Sequence, residues 1–287
     1  MKTVSRNGRL IENTTNQEKY LKLLYGTLIG RAALKVLTIP CLSKSAGFFL
    51  DSRPSSLLID PFIKHNDIRM SDYIPKRYKS FNDFFTRRIK PERRPVDMSE
   101  KSLVSPADGR ISVYKIRKHS VFSIKNTKYT LESILRNREL AKEYENGYFI
   151  IVRLSVDNYH RYCSADNGKI LEYHRIPGVL HTVNPIANDY FKIYKENSRT
   201  YSVIETENFG RLIQMEVGAL LVGRIVNNRH HGTLKKGREK GKFEYGGSTV
   251  ILIAKDENVI IDNDLIVNTY AGYETLVKMG ERIGTGK

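Results

Sequence analysis

Residues 244–254 have the sequence EYGGSTVILIA, in which two glycines stand directly before a run of branched apolar residues. Branched side chains favour β-strands, and glycine tolerates the backbone angles that a tight turn needs. The stretch therefore predicts a turn at Gly246 and Gly247 that leads into a strand over residues 249–254. The hydroxyl group of Ser248 lies where the turn meets the strand.

Similar β-prone runs make up most of the chain after about residue 103, and Gly, Asn and Asp residues separate them. The runs cover residues 109–117, 121–124, 148–156, 169–175, 201–205, 211–217, 220–226, 249–254 and 265–269. Within this part we predict helix for residues 131–144 and 184–189. Many short strands with turn residues between them indicate a large, mainly antiparallel β body.

The first part of the chain has a helical pattern instead. Residues 21–39 are apolar, but basic residues interrupt them, and the longest charge-free run is too short to span a bilayer. Their apolar positions recur at helical spacing, which predicts an amphipathic helix that ends at Pro40. Such a helix either packs on the core or lies in a membrane interface, and the residues leave both open. Further helices are predicted over residues 48–64 and 80–88.

The predicted fold class is therefore α+β, with N-terminal amphipathic helices followed by a mainly antiparallel β body. A chain of 287 residues, 40% of them hydrophobic and 28% charged, has the composition of a globular protein. We predict a helical, membrane-associating segment over residues 1–95 and a catalytic β domain over residues 96–287.

The charge balance indicates an anionic partner, because 48 Lys and Arg residues against 31 Asp and Glu residues give a net charge of +17. Nucleic acid and an anionic membrane surface both fit this charge. The basic residues at 228–242, which include His230 and His231, predict a solvated or phosphate-binding loop. Aromatic residues are not interleaved with that loop, so single-stranded nucleic acid is the weaker candidate.

Cysteine usage and the first residues favour a reducing compartment. The chain has only two cysteines, Cys41 and Cys163, so neither a disulfide framework nor a structural zinc site of the C-x-x-C type is expected. Residues 1–20 are polar and lack the apolar region of a secretory signal. We therefore expect a cytoplasmic location and no metal.

Three segments carry candidate chemistry. The Ser248 hydroxyl can reach the carbonyl of Gly247 if the peptide between them is strained; the alternative is a plain turn before a strand. Asp108 lies in a Pro-x-Asp-Gly turn, where it either bonds its own backbone or orients a histidine. His160 follows the strand at 148–156 and is either a general base or proton donor, or a surface histidine.

The order of these segments resembles that of the phosphatidylserine decarboxylase family. The resemblance rests on four motifs: FNDFFTRR at 81–88, SPADG at 105–109, YHR at 159–161 and GGST at 246–249. It extends from about residue 20 to about residue 284. The Gly-Gly-Ser-Thr motif is similar to that of a bacterial type, in place of the commoner Leu-Gly-Ser-Thr.

The resemblance implies a self-cleaving enzyme. Ser248 would attack the Gly247 carbonyl, and elimination would release the β chain, residues 1–247. The α chain, residues 248–287, would then begin with a pyruvoyl group derived from Ser248. Asp108 and a histidine would assist Ser248 in the manner of a serine protease triad. No metal and no diffusible cofactor would be needed.

The same resemblance implies the reaction and its surroundings. The pyruvoyl ketone would form a Schiff base with the amine of phosphatidylserine, and loss of CO2 would give phosphatidylethanolamine. This carboxy-lyase would lie peripheral to the bacterial cell membrane on its cytoplasmic side, attracted by the anionic surface. Its cleaved chains would form a heterodimer; higher oligomers stay open. No nucleic acid is expected as a partner.

One position departs from the family pattern. Many members have Tyr-His-Arg-x-His, whereas here Cys163 stands where the second histidine would be. Either His160 then serves both self-cleavage and decarboxylation, or another group compensates, for which His181 is the candidate. An ordinary serine hydrolase is a further alternative, but the chain lacks the Gly-x-Ser-x-Gly motif of the best-known kind.

Overall fold

A computed structural model describes residues 2–11, 27, 40–124, 127–179, 192–218, 224–244, 246 and 248–287. The strands are β1 (Lys2–Val4), β2 (Leu10–Ile11), β3 (Ser102–Val104), β4 (Gly109–Lys115), β5 (Val121–Ile124), β6 (Thr127–Thr130), β7 (Tyr148–Leu154), β8 (Arg161–Cys163), β9 (Gly168–Ile176), β10 (Arg199–Thr206), β11 (Arg211–Gly218), β12 (Arg224–Asn227), β13 (Gly232–Leu234), β14 (Glu239–Glu244), β15 (Ser248–Ala254), β16 (Val259–Ile261), β17 (Tyr273–Val277) and β18 (Arg282–Gly286).

Short helices accompany these strands. The α-helices are α1 (Pro40–Asp51), α2 (Ile59–His65), α3 (Phe81–Phe85), α4 (Leu131–Leu135), α5 (Arg138–Lys142), α6 (Ile193–Glu196) and α7 (Asn263–Tyr270). The 3-10 helices are Arg53–Leu58, Met70–Asp72, Pro91–Arg93 and Lys118–Ser120. Among the described residues, no helix is both long and apolar enough to cross a membrane.

The main sheet has the strand order β13-β9-β10-β11-β15-β7-β4-β17-β1-β2 in the described part of the chain. Its pairs are antiparallel except for β1 with β17, which is parallel. Smaller sheets have the orders β12-β14-β8, β16-β18-β3 and β5-β6. The mixed α+β class with a mainly antiparallel β body is thus confirmed.

Strand β15 is buried on both faces of the main sheet. Ile251 and Ile253 join the core cluster on one face, and Val250 and Leu252 join the cluster on the other. Successive side chains of a strand point to opposite faces, so a strand inside two cores must be apolar at every position. Each such side chain contributes roughly 1.5–3 kcal/mol by its burial. This explains why the run after Ser248 is continuously apolar instead of alternating.

The prediction of a strand over residues 265–269 is wrong, because this segment lies in helix α7. Leu265 and Thr269, four residues apart and therefore on one side of a helix, are the two that become buried. The Thr269 hydroxyl donates to the Leu265 carbonyl at 2.8 Å and accepts from the Val113 amide at 3.0 Å. The β-branched residues suited a strand locally, but packing of one face against β4 favours the helix.

The helical expectation for residues 1–95 is wrong at its start. Residues 2–11 form β1 and β2 at the edge of the main sheet, where Thr3 and Val4 are buried. Pairing of β1 with β17 supplies tertiary contacts that the short polar sequence does not reveal. The predicted amphipathic helix over 21–39 lies outside the described residues, apart from Thr27, and is not confirmed. The helix predicted over 48–64 is interrupted at Pro54, inside a 3-10 helix between α1 and α2.

The basic segment 228–242 is solvated, as its composition predicts, at residues 228–231, 235 and 238, but not throughout. It contains β13 and the start of β14, and Lys240 forms an ion pair of 2.8 Å with Glu216 in which both side chains are fully buried. Lys236 donates to the Ser99 carbonyl at 2.6 Å. Buried acceptors from other elements draw these lysines inside, which a local reading of charge cannot detect.

Candidate active site

Ser248 is the first residue of β15 and lies inside the main sheet. Its register partners are Gly218 in β11 and Leu154 in β7. The residue is fully buried, and its Oγ has no hydrogen-bond partner among the described residues. Buried hydroxyls are nearly always satisfied, so an unpaired one at this position is a candidate reactive group.

Gly246, two residues before β15, is the described part of the turn that the sequence predicts. Gly246 has a φ of +75°, a left-handed conformation that other residues rarely adopt. Gly247 lies outside the described residues, so the geometry of the bond before Ser248 stays a prediction. The turn nevertheless explains the need for glycine at Gly246.

His160 is buried and oriented by a backbone carbonyl. Its Nδ1 lies 2.9 Å from the carbonyl oxygen of Asn158, which can only accept, so Nδ1 carries the proton. Its Nε2 then holds a lone pair and has no hydrogen-bond partner among the described residues. The ring packs on Phe85 with a centroid distance of 4.0 Å. This tautomer leaves Nε2 able to accept a proton.

The environment keeps His160 neutral. Burial lowers the pKa of His160 to about 3, with a further lowering by the nearby positive charge of Arg87. The carbonyls of Asn158 and Gly246 offset part of this decrease. The His160 carbonyl also accepts from the Phe243 amide at 2.9 Å. This main-chain hydrogen bond places His160 beside strand β14, a few residues before the predicted cleavage site.

Asp108 is held by groups other than a histidine. Arg94 donates Nε to Oδ1 of Asp108 at 2.6 Å and Nη2 to Oδ2, and the Met279 amide donates to Oδ1 at 2.8 Å. Among the described residues, none of these hydrogen bonds joins Asp108 to His160. A direct hydrogen bond between Asp108 and His160 is therefore not part of the described site, and the triad that the resemblance implies stays a prediction. Arg94 is the charged partner of Asp108 in the described part of the chain.

Asp108 and Ser248 nevertheless lie at the same end of the main sheet. Gly109 begins β4, and a Cβ there would approach the Arg153 carbonyl in β7 to 2.4 Å, which only glycine avoids. Strand β7 separates β4 from β15. Two strand spacings put the backbones of Asp108 and Ser248 about 10 Å apart. The structure brings them into one region without direct contact.

Cys163 cannot replace the missing histidine as a base. Its side chain is fully buried, its Sγ lies 3.8 Å from the Ser105 carbonyl, and burial raises the pKa of the thiol to about 12. It therefore stays a neutral thiol at physiological pH. His181, the other candidate, lies outside the described residues, so the division of roles between His160 and His181 stays a prediction.

Two arginines of this region escaped the sequence-based prediction. Arg94 lies outside every motif named there, and Arg87 appeared only as a letter of the motif at 81–88. For Arg87 the available signal was its position in the aromatic-rich motif at 81–88, because an arginine can pack against aromatic rings. Within the described residues, no group of three or more His, Cys, Asp or Glu side chains could hold a metal.

Comparisons with known proteins show the family to which the chain belongs. The family model described as phosphatidylserine decarboxylase matches residues 81–285. A Clostridium acetobutylicum protein named phosphatidylserine decarboxylase proenzyme 2 is 45% identical over 265 residues, covering 92% of this chain and 91% of its own. Proteins named phosphatidylserine decarboxylase proenzyme from Clostridium botulinum (strain 657) and Fusobacterium nucleatum are 41% and 39% identical, covering 94% and 98% of this chain and 94% and 96% of their own. The chain belongs to the phosphatidylserine decarboxylase family.

Proposed function

We propose that this chain is a pyruvoyl-dependent carboxy-lyase that converts phosphatidylserine to phosphatidylethanolamine and CO2 after cutting itself between Gly247 and Ser248. The observation that carries the proposal is the buried, unpaired Oγ of Ser248 at the head of β15. Neutral His160, whose Nε2 is also unpaired, is bonded through its main chain to Phe243 in the preceding strand. The word proenzyme in the names of the relatives supports a processed form.

Self-cleavage needs a base for the Ser248 hydroxyl. In the proposed step, Oγ attacks the Gly247 carbonyl carbon while its proton passes to Nε2 of His160, and an ester replaces the peptide bond. Loss of the Ser248 α-proton then expels the 1–247 chain as a carboxylate and leaves a dehydroalanine. Hydrolysis of this residue releases ammonia and leaves the pyruvoyl group.

The chain's own residues have separate tasks in decarboxylation. The pyruvoyl group, once formed, supplies the ketone that accepts electrons from the breaking carboxylate bond. A histidine delivers the proton that replaces CO2. Asp108 stays a candidate catalytic residue; we propose that it acts through its charge while Arg94 holds its carboxylate.

The mass of freshly purified protein tests this function. We expect two fragments that meet between Gly247 and Ser248, the smaller of them blocked to N-terminal sequencing by the missing amine. Incubation with phosphatidylserine should then release CO2. A single chain of 33.0 kDa with Ser248 unmodified and no CO2 release would contradict the proposal.

We further propose that the enzyme attaches to the cytoplasmic face of the bacterial membrane through a surface on α1 and the following 3-10 helix. Phe48 is 82% exposed and Leu57 is 80% exposed there, with Phe49 and Leu58 beside them. The Phe81 amide donates to Ser55 Oγ at 2.9 Å, which joins these helices to the start of α3, and the basic residues Lys76, Arg77 and Lys79 directly precede α3 in the chain. Exposed apolar side chains beside basic ones fit an anionic lipid surface.

Replacing both Phe48 and Leu57 with serine should reduce flotation with liposomes that contain anionic lipid by at least about 10-fold, because each large apolar side chain contributes roughly 1.5–3 kcal/mol on burial. Flotation at low and high salt measures the effect. Tyr270→Ser is the matched control, since Tyr270 is 80% exposed on α7. Equal flotation of the double variant and the wild type would rule out this attachment surface.

The proposed partners follow from the same arrangement. The substrate is a membrane phospholipid, and the two chains produced by cleavage stay together as a heterodimer. Nucleic acid is not proposed as a partner, since the basic segment 228–242 directs Lys236 and Lys240 into the protein.

A further inference from the structure

Arg87 is a buried cation whose charge no described carboxylate neutralises. The residue is 2% exposed, and its Nη2 donates to the Tyr73 hydroxyl at 3.1 Å and to the Asp157 carbonyl at 3.2 Å. Its Nε and Nη1 have no hydrogen-bond partner among the described residues. The guanidinium carbon lies 4.3 Å from the ring centroid of Tyr73 and 4.8 Å from that of Phe84, and these contacts stabilise the cation. They leave two N–H groups without an acceptor, which is costly in a buried guanidinium and which a bound anion would relieve.

The guanidinium stands beside a cavity that is suited to an anion. Arg87 lines a cavity of about 110 Å³, together with Lys76, Tyr78, Arg88 and Arg161. The Tyr78 hydroxyl is buried and has no hydrogen-bond partner among the described residues. The volume suffices for a group of a few heavy atoms, such as a phosphate, and not for a whole lipid.

The charges around the cavity are unequally available. Arg161 is occupied, because its Nη1 donates to Glu239 at 2.7 and 2.8 Å and its Nε to the Thr86 carbonyl at 2.9 Å. Lys76 pairs with Asp83, the acidic residue of the cavity lining. Arg87, the exposed Arg88 and the Tyr78 hydroxyl remain to bind an anion.

The cavity lies next to the proposed reaction centre. Arg87 bonds the Asp157 carbonyl in the segment that leads to His160, and Phe85, two residues before Arg87, packs on the His160 ring. Arg87 is also close enough for its charge to lower the pKa of His160. An anion bound here would therefore lie next to the segment that carries His160.

We propose that Arg87, with the Tyr78 hydroxyl and Arg88, binds the phosphodiester of the phospholipid headgroup, an inference that rests on the proposed function. The alternative anion of this substrate, its carboxylate, is the group that leaves. An ion pair to that carboxylate would stabilise the ground state and slow its loss, whereas a phosphodiester contact persists through the reaction. Arginine also matches phosphate oxygens with paired N–H groups.

Binding and kinetics test this assignment separately. The first probe is glycerophosphoethanolamine, a phosphodiester without a carboxylate, and calorimetry should show that it binds to uncut Ser248→Ala protein. Adding Arg87→Gln should weaken this affinity by about 10- to 100-fold, as expected for loss of a hydrogen-bonded charge. In cut enzyme, Arg87→Gln should raise KM for soluble dihexanoyl phosphatidylserine by a similar factor, with a smaller change in kcat. Arg138→Gln is the matched control, since Arg138 is exposed on α5, away from the cavity lining.

Two further probes make the outcomes decisive. Tyr78→Phe removes only a hydroxyl and should weaken the phosphodiester by about 3- to 10-fold, so it decides the matter if Arg87→Gln fails to fold. Free serine should bind with equal affinity to Ser248→Ala protein with and without Arg87→Gln. The assignment would be overturned if the folded variants bound glycerophosphoethanolamine with unchanged affinity, or if they lost serine binding and kept phosphodiester binding. It would also be overturned if inorganic phosphate bound as tightly as glycerophosphoethanolamine and KM for the substrate did not change. Because calorimetry uses uncut protein, it tests the anion site even if the chain does not cleave itself. Failure of self-cleavage would be seen separately, in the mass of the purified protein.

Discussion

Ser248→Ala protein is expected to remain one chain of 33.0 kDa and to release no CO2 from phosphatidylserine. Without the hydroxyl there is no nucleophile for the Gly247 carbonyl, so neither the cut nor the pyruvoyl group can form. The loss should be complete, because the group that is removed becomes the prosthetic group itself. Intact mass and release of labelled CO2 measure the two effects on the same sample.

Thr249→Ala is the matched control for this variant. Thr249 is the next residue of β15, is equally buried, and its hydroxyl also has no hydrogen-bond partner among the described residues. We expect this variant to cut itself and to release CO2, which would separate loss of the nucleophile from loss of a buried hydroxyl. Cleavage of Ser248→Ala at the same bond would show that another residue is the nucleophile.

His160→Gln is expected to slow self-cleavage by about 100- to 10,000-fold, the usual contribution of a general base. The base acts in its neutral form, and burial lowers the pKa of His160 to about 3. At pH 5 only about 1% of a group with that pKa is protonated, so the wild-type rate should not fall between pH 8 and pH 5 through protonation of His160. Rates of cleavage in refolded protein at each pH measure this.

The pH profile also discriminates between the two histidines. A base with an ordinary pKa of about 6.5 would be mostly protonated at pH 5, and cleavage would slow severalfold or more. A midpoint near 6.5, together with cleavage that stops in His181→Ala and continues in His160→Gln, would transfer the role to His181. Retention of the cut in both variants would exclude both residues as the essential base.

The sequence was sufficient where local chemistry and tertiary structure agree. The run after Ser248 is apolar at every position because β15 has a core on each face, and Gly246 is needed where φ is positive. The segment at Leu265–Thr269 was predicted wrongly, because its branched residues suit a strand while packing selects a helix. Local propensity cannot report which neighbours a segment will meet.

The site was predictable in its members but not in their pairing. Ser248, His160 and Asp108 stand in recognisable motifs, yet the partner of Asp108 is Arg94, and His160 takes its orientation from a main-chain carbonyl. A carbonyl is present at every residue, so no side-chain pattern predicts its use. Only the packed structure shows that Arg87 is buried with unpaired N–H groups.

The strand order gives the fragment 248–287 an unusual mechanical position. Its first strand, β15, lies between β11 and β7 of the other fragment, and β17 lies between β4 and β1. Its strand β18 also pairs with β3. A cut before Ser248 would therefore remove one covalent bond and leave these strand pairings in place. Strands of the small fragment therefore lie between strands of the large fragment and are hydrogen-bonded to them on both sides. The small fragment can dissociate only if the sheet of the large fragment opens.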